Sequence, residues 1–329
     1  MKKQSLKEYL AGIDIGSTTV KLVIYNNEQE IIYSDYRRHK AHTQETLRDL
    51  LVEAATKLGD FKIKAKITGS GAINLAKAIN LEFVQEVVAV AKALKVKAPV
   101  TDVAIELGGE DAKIIYFNNG IDERMNGVCA GGTGSFIDQM ADLLESDAEG
   151  LNEAAKDYKQ IYPIAARCGV FAKTDIQPLI NEGATKADLA ISIFQAVVNQ
   201  TISGLACGKP IRGHVAFLGG PLHYLSELKK CFIRTLKLTD ETTIDPEDSH
   251  LFAAIGAALD ASDVEACNVK ELIAQLNNGV KVTNEMPRLE ALFNSEAELE
   301  EFKKRHAQSV IKKLDISQEI GRASCRERV

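Results

Sequence analysis

The 329-residue sequence contains no tryptophan, only seven prolines and six cysteines, and 6% aromatic residues. Six cysteines in a chain of this length are too few for a disulfide scaffold, and the polar stretch Met1–Tyr9 does not read as an export signal. No apolar run reaches the roughly 18 residues of a membrane span. The net charge of −6 argues against non-specific binding to nucleic acid. We therefore expect a cytoplasmic protein with reduced thiols and without nucleic-acid or membrane partners.

The sequence does contain a repeated layout. The hydrophobic content of 45% and the charged content of 26% are those of a globular protein with one large two-lobed unit or two domains. Strands predicted at 9–15 and 103–107 each end at a turn with glycine and acidic residues. A second strand and an asparagine-rich turn then follow in both places. This repetition predicts a duplicated α/β fold.

Three glycine turns follow predicted strands, at residues 14–19, 106–111 and 217–221. Glycine allows backbone N–H groups to approach a phosphate, and the hydroxyls of residues 17–19 add donors. Asp14 and Asp111 cannot bind phosphate directly because like charges repel, but they can hold the water molecules of Mg²⁺. Lys21 could offset phosphate charge or simply be an exposed strand residue. Since the chain has neither a GxxxxGK[ST] nor a complete GxGxxG motif, a P-loop or a Rossmann site is disfavoured.

Two cysteines stand beside glycines. Cys129 precedes a glycine-rich turn that opens a predicted helix, with Thr133 or Ser135 as N-cap and Asp138 as a capping partner. The helix dipole would favour the thiolate of Cys129, although a small, half-buried residue is the alternative. Cys168 follows at a distance of 168 − 129 = 39 residues. An iron–sulfur cluster usually needs four thiolates, so two per chain would suffice only if two chains met across a symmetry axis.

The three turns resemble the phosphate-1, phosphate-2 and adenosine motifs of the superfamily of sugar kinases, heat-shock chaperones and actin. The small residues at 253–259 resemble the helix that closes that fold. The resemblance implies two ribonuclease-H-like lobes around a nucleotide cleft. The first lobe would comprise residues 6–98 and be closed by a helix at 248–262, and the second would comprise residues 99–247. Residues 263–319 would form a helical extension or linker, and 320–329 read as a vector-derived tail.

Within that superfamily, residues 127–136 and 167–171 resemble the ATPase activators of 2-hydroxyacyl-CoA dehydratases and benzoyl-CoA reductases. Residues 124–127, 176–179 and 211–213 are closer to the large CoA-substrate-specific activases. The resemblance implies a homodimer that binds ATP, Mg²⁺ and one [4Fe–4S] cluster shared between its subunits. It would pass a low-potential electron from a donor such as ferredoxin or flavodoxin to a dehydratase or reductase. Where the short activators read DIGGQDSK, this chain has ELGGEDAK at 106–113.

The site residues expected on these grounds fall into three groups. The candidate catalytic residues are Asp14, Asp111 and Glu110, and the candidate metal ligands are Cys129 and Cys168. The candidate nucleotide-binding residues are Gly16, Ser17, Thr18, Thr19, Lys21, Gly108, Gly109, Gly132, Gly219 and Gly220.

Two other functions remain open on the sequence alone. A small-molecule kinase of the same fold could use Asp111 or Asp175 as its catalytic residue, but would leave Cys129 and Cys168 unexplained. The second open function is a non-catalytic, nucleotide-dependent switch within a larger activase. Of the other cysteines, those at 207, 231 and 267 are expected to be buried and inert. The histidines are expected to lie on the surface or cap helices, and Arg37–Lys40 to form a solvated loop.

Overall fold

The computed structural model describes residues 6–118, 120–126, 131–165, 169–279 and 291–309. The described residues up to 279 belong to one compact unit, and residues 291–309 belong to a second. The elements of the first half are β1 (Lys7–Ile15), β2 (Thr19–Tyr25), β3 (Ile31–Arg38), α1 (Thr43–Leu58), β4 (Phe61–Thr68), α2 (Ile73–Ala78), β5 (Glu82–Phe83) and α3 (Glu86–Lys97).

The second half repeats the meander and adds more helices. Its elements are β6 (Val103–Leu107), β7 (Ala112–Tyr116), β8 (Asp122–Met125), α4 (Gly134–Leu143), α5 (Ala148–Ala154), α6 (Gly169–Asn181), α7 (Lys186–Thr201), β9 (Val215–Leu218), α8 (Gly220–Tyr224), α9 (Ser226–Leu236) and β10 (Thr243–Ile244). The chain continues with α10 (Phe252–Leu259), β11 (Cys267–Asn268), α11 (Val269–Asn277) and α12 (Glu296–Ala307).

The two sheets have the same topology. In each, the first strand of the meander, β1 or β6, pairs antiparallel with the next strand and parallel with a later one, β4 or β9. The short strands β5 and β10 then extend their sheets parallel to β4 and β9. The prediction of a duplicated α/β fold of the actin, sugar-kinase and chaperone type is confirmed.

Separate apolar cores lie on the outer sides of the two sheets, and a third core joins the sheets. The joining core contains residues of α3 and α10 packed with strand residues of both sheets. Its helices approach closely because α10 is rich in small residues: a Cβ on Gly256 would overlap the carbonyl oxygen of Ala89 in α3, and one on Gly12 would overlap that of Ala254. Substituting either glycine would therefore push α10 away from its neighbours.

Helix α7 provides the long apolar stripe of the second half. With the following turn it spans Lys186–Ala206, which is long and apolar enough to cross a membrane, but 67% of its most apolar window is buried within the fold. Eleven residues of α7 are buried, among them Leu189, Ile193 and Phe194. The stripe is thus part of the outer core of the second sheet.

The extension expected from residue 263 onwards differs from the structure over its first part. Strand β11 pairs with β4, and Val269, Leu272 and Leu276 of α11 belong to the outer core of the first sheet. The helix has only nine residues, so its apolar repeat in the sequence is short. Helix α12, in the second unit, has no buried residue in the range described for it.

Candidate functional site

The three glycine turns line one space, which we call the acidic cleft. The first turn joins β1 to β2, the second joins β6 to β7, and the third joins β9 to α8. The described residues around the acidic cleft are Asp14, Gly16, Ser17, Thr18, Thr19, Lys21, Tyr36, Ser70, Glu86, Glu106, Leu107, Gly108, Gly109, Asp111, Gly219 and Gly220. The structure therefore brings together most of the site residues expected from the sequence, although they come from turns up to about two hundred residues apart.

Two expected site residues lie elsewhere. Glu110 is exposed on the second turn and is not among the residues that line the acidic cleft; its backbone carbonyl accepts a hydrogen bond from Asn126. Gly132 precedes α4 with φ +84° and lies against Gln200 and Thr201 of α7. A glycine at 132 suits a turn packed on a helix, and neither Glu110 nor Gly132 is among the residues that line the cleft or the cavity beside it.

Asp14 and Lys21 form a buried ion pair. They are cross-strand partners in the β1–β2 hairpin, and 2.6 Å separates Asp14 Oδ2 from Lys21 Nζ. Burial is the largest single influence and opposes the charged form of Lys21, but the charge and hydrogen bond of Asp14, together with Tyr36 and Glu106, raise the lysine pKa above its ordinary value. The second carboxylate oxygen of Asp14, Oδ1, is buried without a hydrogen-bond partner in the described structure. The described residues thus leave this oxygen unsatisfied, which makes it a candidate contact for a ligand.

A second buried lysine, Lys113, gathers three carboxylates. Its Nζ lies 2.5 Å from Glu86 Oε1, 2.7 Å from Asp111 Oδ2 and 4.0 Å from Glu106 Oε2. Burial, followed by the charge of Glu106, raises the pKa of Glu86 to about 7, although Lys113 opposes the rise. Burial also raises the pKa of Glu106, whose Oε2 has no hydrogen-bond partner among the described residues.

The charge balance of the acidic cleft suits a hydrated divalent cation. Four acidic side chains, those of residues 14, 86, 106 and 111, line the cleft, and Lys21 is the only lysine among the described lining residues. Lys113 pairs with three of these acids but does not itself line the cleft. Over the described ranges, no three His, Cys, Asp or Glu side chains are arranged to chelate a metal directly. Mg²⁺ usually keeps several waters and uses one or two carboxylates together with phosphate oxygens. The free Oδ1 of Asp14 and the carboxylate of Asp111 fit that role.

The turns from the two sheets approach too closely for larger residues. A Cβ on Gly109 would overlap the hydroxyl of Thr18, which belongs to the other sheet. Gly219 has φ +90°, where side chains are strained, and its Cβ would overlap the carbonyl oxygen of Leu107. Backbone N–H groups and hydroxyls are thereby concentrated at one point, as phosphate binding requires.

A larger cavity of about 370 Å³ continues outwards from the acidic cleft and shares Thr18, Tyr36, Gly109 and Gly220 with it. The other residues around this outer cavity are Arg38, Gly134, Ile137, Asp138, Ala148, Glu149, Pro221, Tyr224 and Leu225. The rings of Tyr36 and Tyr224 lie 5.7 Å apart between centroids. A mixed aromatic and polar cavity beside a charged cleft fits a nucleoside joined to phosphates.

The start of α4 is anchored to the second glycine turn. The N–H groups of Gly134 and Ser135 donate to the carbonyl oxygens of Gly108 and Gly109, at 3.0 and 2.7 Å. Thr133 is the N-cap residue, but its side chain makes no capping hydrogen bond. The expected capping box is wrong because the turn carbonyls take these donors and Asp138 pairs instead with Arg38.

Cys129 and Cys168 lie outside the described residues, so their expected role stays a prediction. Among the other cysteines, Cys231 is buried, and burial raises its pKa to about 11, as expected of an inert thiol. Cys267 is half-buried. Cys207 is exposed, which corrects the expectation that it would be buried.

Several residues around the site had no recognisable sequence signal. Glu86 begins α3 without any motif, and Tyr36 is one of several tyrosines in strands. His39 was expected on the surface, but it is buried and supports the first turn: its Nδ1 accepts from Ala41 N–H, so Nε2 donates to the carbonyl of Gly16 at 3.2 Å. Only the folded chain assembles these side chains.

Asp175, the alternative catalytic residue of the kinase hypothesis, serves another purpose. Its Oδ2 accepts a hydrogen bond of 2.6 Å from the backbone N–H of Ala165, and it does not line either cavity of the site. Asp111 is thus the residue of the two that lies in the acidic cleft.

Comparison with known proteins agrees with this architecture. A 2-hydroxyisocaproyl-CoA dehydratase activator from Clostridioides difficile is 30% identical over 270 residues, which cover 80% of this chain and 98% of the relative. The solved structure of component A of the (R)-2-hydroxyglutaryl-CoA dehydratase of Acidaminococcus fermentans superposes with a TM-score of 0.69 at 26% identity, covering 81% of this chain and 99% of that one.

A second solved structure is the activator of the 2-hydroxyisocaproyl-CoA dehydratase from Clostridium difficile with bound ADPNP. It has a TM-score of 0.66 and 25% identity, and the match covers 86% of this chain and all of that one. Residues 11–261 match the profile of one ATPase family, a range that includes all three glycine turns. The chain therefore belongs to the BadF/BadG/BcrA/BcrD ATPase family.

Proposed function

We propose that this protein is an ATP-dependent activator that passes a low-potential electron from a [4Fe–4S] cluster, shared by two copies of the chain, to a 2-hydroxyacyl-CoA dehydratase or a related reductase. The observation that carries the proposal is the convergence of three glycine turns on one acidic cleft in a chain of this ATPase family. The named activators among its relatives supply the class of partner.

In this proposal, the nucleotide of ATP occupies the two connected cavities. Its phosphates would bind the backbone of the three turns and the hydroxyls of residues 17–19, while the base and ribose would lie in the outer cavity beside Tyr36 and Tyr224. Asp14 Oδ1 and Asp111 would hold waters of Mg²⁺, which would supply positive charge to the phosphates. Lys21 and Lys113 hold these carboxylates in place through ion pairs of 2.6 and 2.7 Å.

The cluster ligands in this proposal are Cys129 and Cys168 of each subunit. Two described features support it. Helix α4 begins five residues after Cys129 and α6 begins one residue after Cys168, and a side chain at Gly169 would contact Phe136 of α4. The starts of both helices therefore lie together, which is what two thiolates of one cluster require.

The homodimer is supported by exposed apolar side chains at the start of α6. Val170 is 71% exposed and Phe171 is 64% exposed, immediately after Cys168 in sequence. Large contiguous apolar patches mark interaction sites, and these two neighbouring side chains would contribute to one. A second copy related by a two-fold axis would cover them and supply the other two thiolates. A low-potential donor such as ferredoxin or flavodoxin would then reload the cluster.

Electron paramagnetic resonance of anaerobically purified, dithionite-reduced protein tests this function. We expect a cluster signal that changes when MgATP is added and does not change in the Gly219→Val variant, which should not accept the nucleotide. A signal that is indifferent to MgATP in a protein that hydrolyses ATP would contradict the coupling. Colourless protein that phosphorylates a sugar or an acid would favour the kinase instead.

A further inference from the structure

An ion pair bridges the two halves of the molecule at the outer cavity. Arg38, the last residue of β3 in the first sheet, donates from Nη1 to Asp138 Oδ2 at 2.8 Å and from Nη2 to Oδ1 at 3.3 Å. Asp138 lies on α4, which packs in the core of the second sheet. The two residues are 100 positions apart in sequence, and both line the outer cavity.

Helix α4, which carries Asp138, is also held at a second contact. The first N–H groups of α4 donate to the carbonyl oxygens of the second glycine turn, as described above. Helix α4 is therefore held by the floor of the acidic cleft at its first turn and by β3 of the opposite sheet one turn later. Any movement that separates the two sheets must either break the Arg38–Asp138 pair or pull α4 away from the glycine turn.

The neighbouring arginine shows that the bridge is specific. Arg37 Nη1 and Nη2 lie 2.9 and 3.0 Å from the carboxylate of Glu53, and Nη2 lies 2.8 Å from Asp35. Both of these partners belong to the first half of the chain, and Arg37 does not line the outer cavity. The two adjacent arginines thus make similar ion pairs, but only that of Arg38 crosses to the other half.

We propose that Arg38 and Asp138 form a latch that holds the two halves closed over a bound nucleoside triphosphate and ties that closure to the position of α4. This inference rests on the proposed binding of ATP. The walls of the outer cavity must separate for a nucleotide to enter, and they must approach each other to enclose a bound one. A pair that spans those walls slows release, and when it opens it also removes one of the two contacts that hold α4, the helix that follows Cys129 in the chain.

The test is a displacement experiment with a fluorescent N-methylanthraniloyl ATP, chased by excess ATP in stopped flow. Arg38→Gln and Asp138→Asn should each speed release about two- to fivefold, as expected for a pair that is 59% and 36% exposed at its side chains. The double variant should release no faster than either single one, because both changes remove the same interaction. Arg37→Gln is the matched control and should release at the wild-type rate. Since both bridge residues are partly exposed, the variants should fold normally.

Hydrogen exchange gives an independent readout. MgATP should protect the amides of α4 in the wild-type and Arg37→Gln proteins, and less so in Arg38→Gln. Equal release rates in Arg38→Gln and wild type, or single effects that simply multiply in the double variant, would overturn the latch while leaving ATP binding intact. Wild-type protein that does not bind the fluorescent nucleotide would refute both the latch and the proposed function.

Discussion

Replacing Asp14 by asparagine distinguishes the structural role of this carboxylate from its proposed role in binding a ligand. One oxygen of Asp14 neutralises the buried Lys21, and the other is buried without a partner in the described structure. The asparagine amide keeps the shape and can still accept a hydrogen bond from Lys21, but it removes the negative charge. Two separate losses should follow.

The first loss is stability. The side chains of Asp14 and Lys21 are 2% and 13% exposed, so the change leaves a largely buried ammonium without its counter-charge. Removing one partner of a buried pair costs about 3–5 kcal/mol, and the retained hydrogen bond places Asp14→Asn near the lower end, at about 3 kcal/mol of unfolding free energy. Asp35→Asn, in a half-exposed pair with Arg37, is the control and should cost about 0.2–1 kcal/mol.

The second loss concerns Mg²⁺. Removing a group that orients a metal ligand typically costs about 10–100-fold in metal affinity or activity. Calorimetric titration of ATP with and without Mg²⁺, at a temperature where both variants are folded, should show that the gain from Mg²⁺ falls at least about tenfold in Asp14→Asn and not in Asp35→Asn. An unchanged gain, together with the predicted loss of stability, would show that Asp14 is only a structural partner of Lys21.

Three further changes test other parts of the account. Gly219→Val should abolish ATP binding in calorimetry, because a Cβ at this position, where φ is +90°, would overlap the carbonyl oxygen of Leu107. An unchanged affinity would show that the third turn is not part of the nucleotide site. The raised pKa of Glu86, about 7 against an ordinary 4.5, means that the folded state favours the protonated acid. The stability of wild type relative to Glu86→Gln should therefore fall as the pH rises from about 4.5 to 7 in urea titrations, and a flat difference would contradict this. Leu272→Ala should destabilise the first half by about 2–5 kcal/mol, since Leu272 is 3% exposed in its core, whereas the exposed control Gln275→Ala should change little. Equal melting temperatures for the two variants would show that α11 is a peripheral linker and not part of the core.

The elements that the sequence predicts best are those whose signal is local. The three glycine turns and the strand at 103–107 are found where strand alternation and turn residues place them. The duplication was visible for the same reason, because each half repeats a short-range pattern. Local patterns also identified Asp14 and Lys21 as candidate site residues, and the hairpin between β1 and β2 makes them cross-strand partners.

The features that escaped prediction depend on contacts between distant segments. Glu86 enters the acidic cleft only because the third core packs α3 beneath the second sheet. The local pattern predicts a capping box with Asp138, but in the fold Asp138 forms an ion pair with Arg38 of the other sheet instead. Helix α11 was expected outside the core because it has only nine residues and the predicted helical segment after it is rich in charge. Each case is one in which tertiary packing overrides a local preference.

In the proposed function, two copies of this chain share one cluster through Cys129 and Cys168, and iron analysis tests this sharing most directly. Anaerobically purified protein should be a dimer with about four iron atoms and four acid-labile sulfides per dimer. Alanine at either cysteine should remove the iron and weaken the dimer, whereas alanine at the exposed Cys207 should do neither. A monomer that stays iron-free after anaerobic reconstitution and still hydrolyses ATP at the full rate would contradict the account.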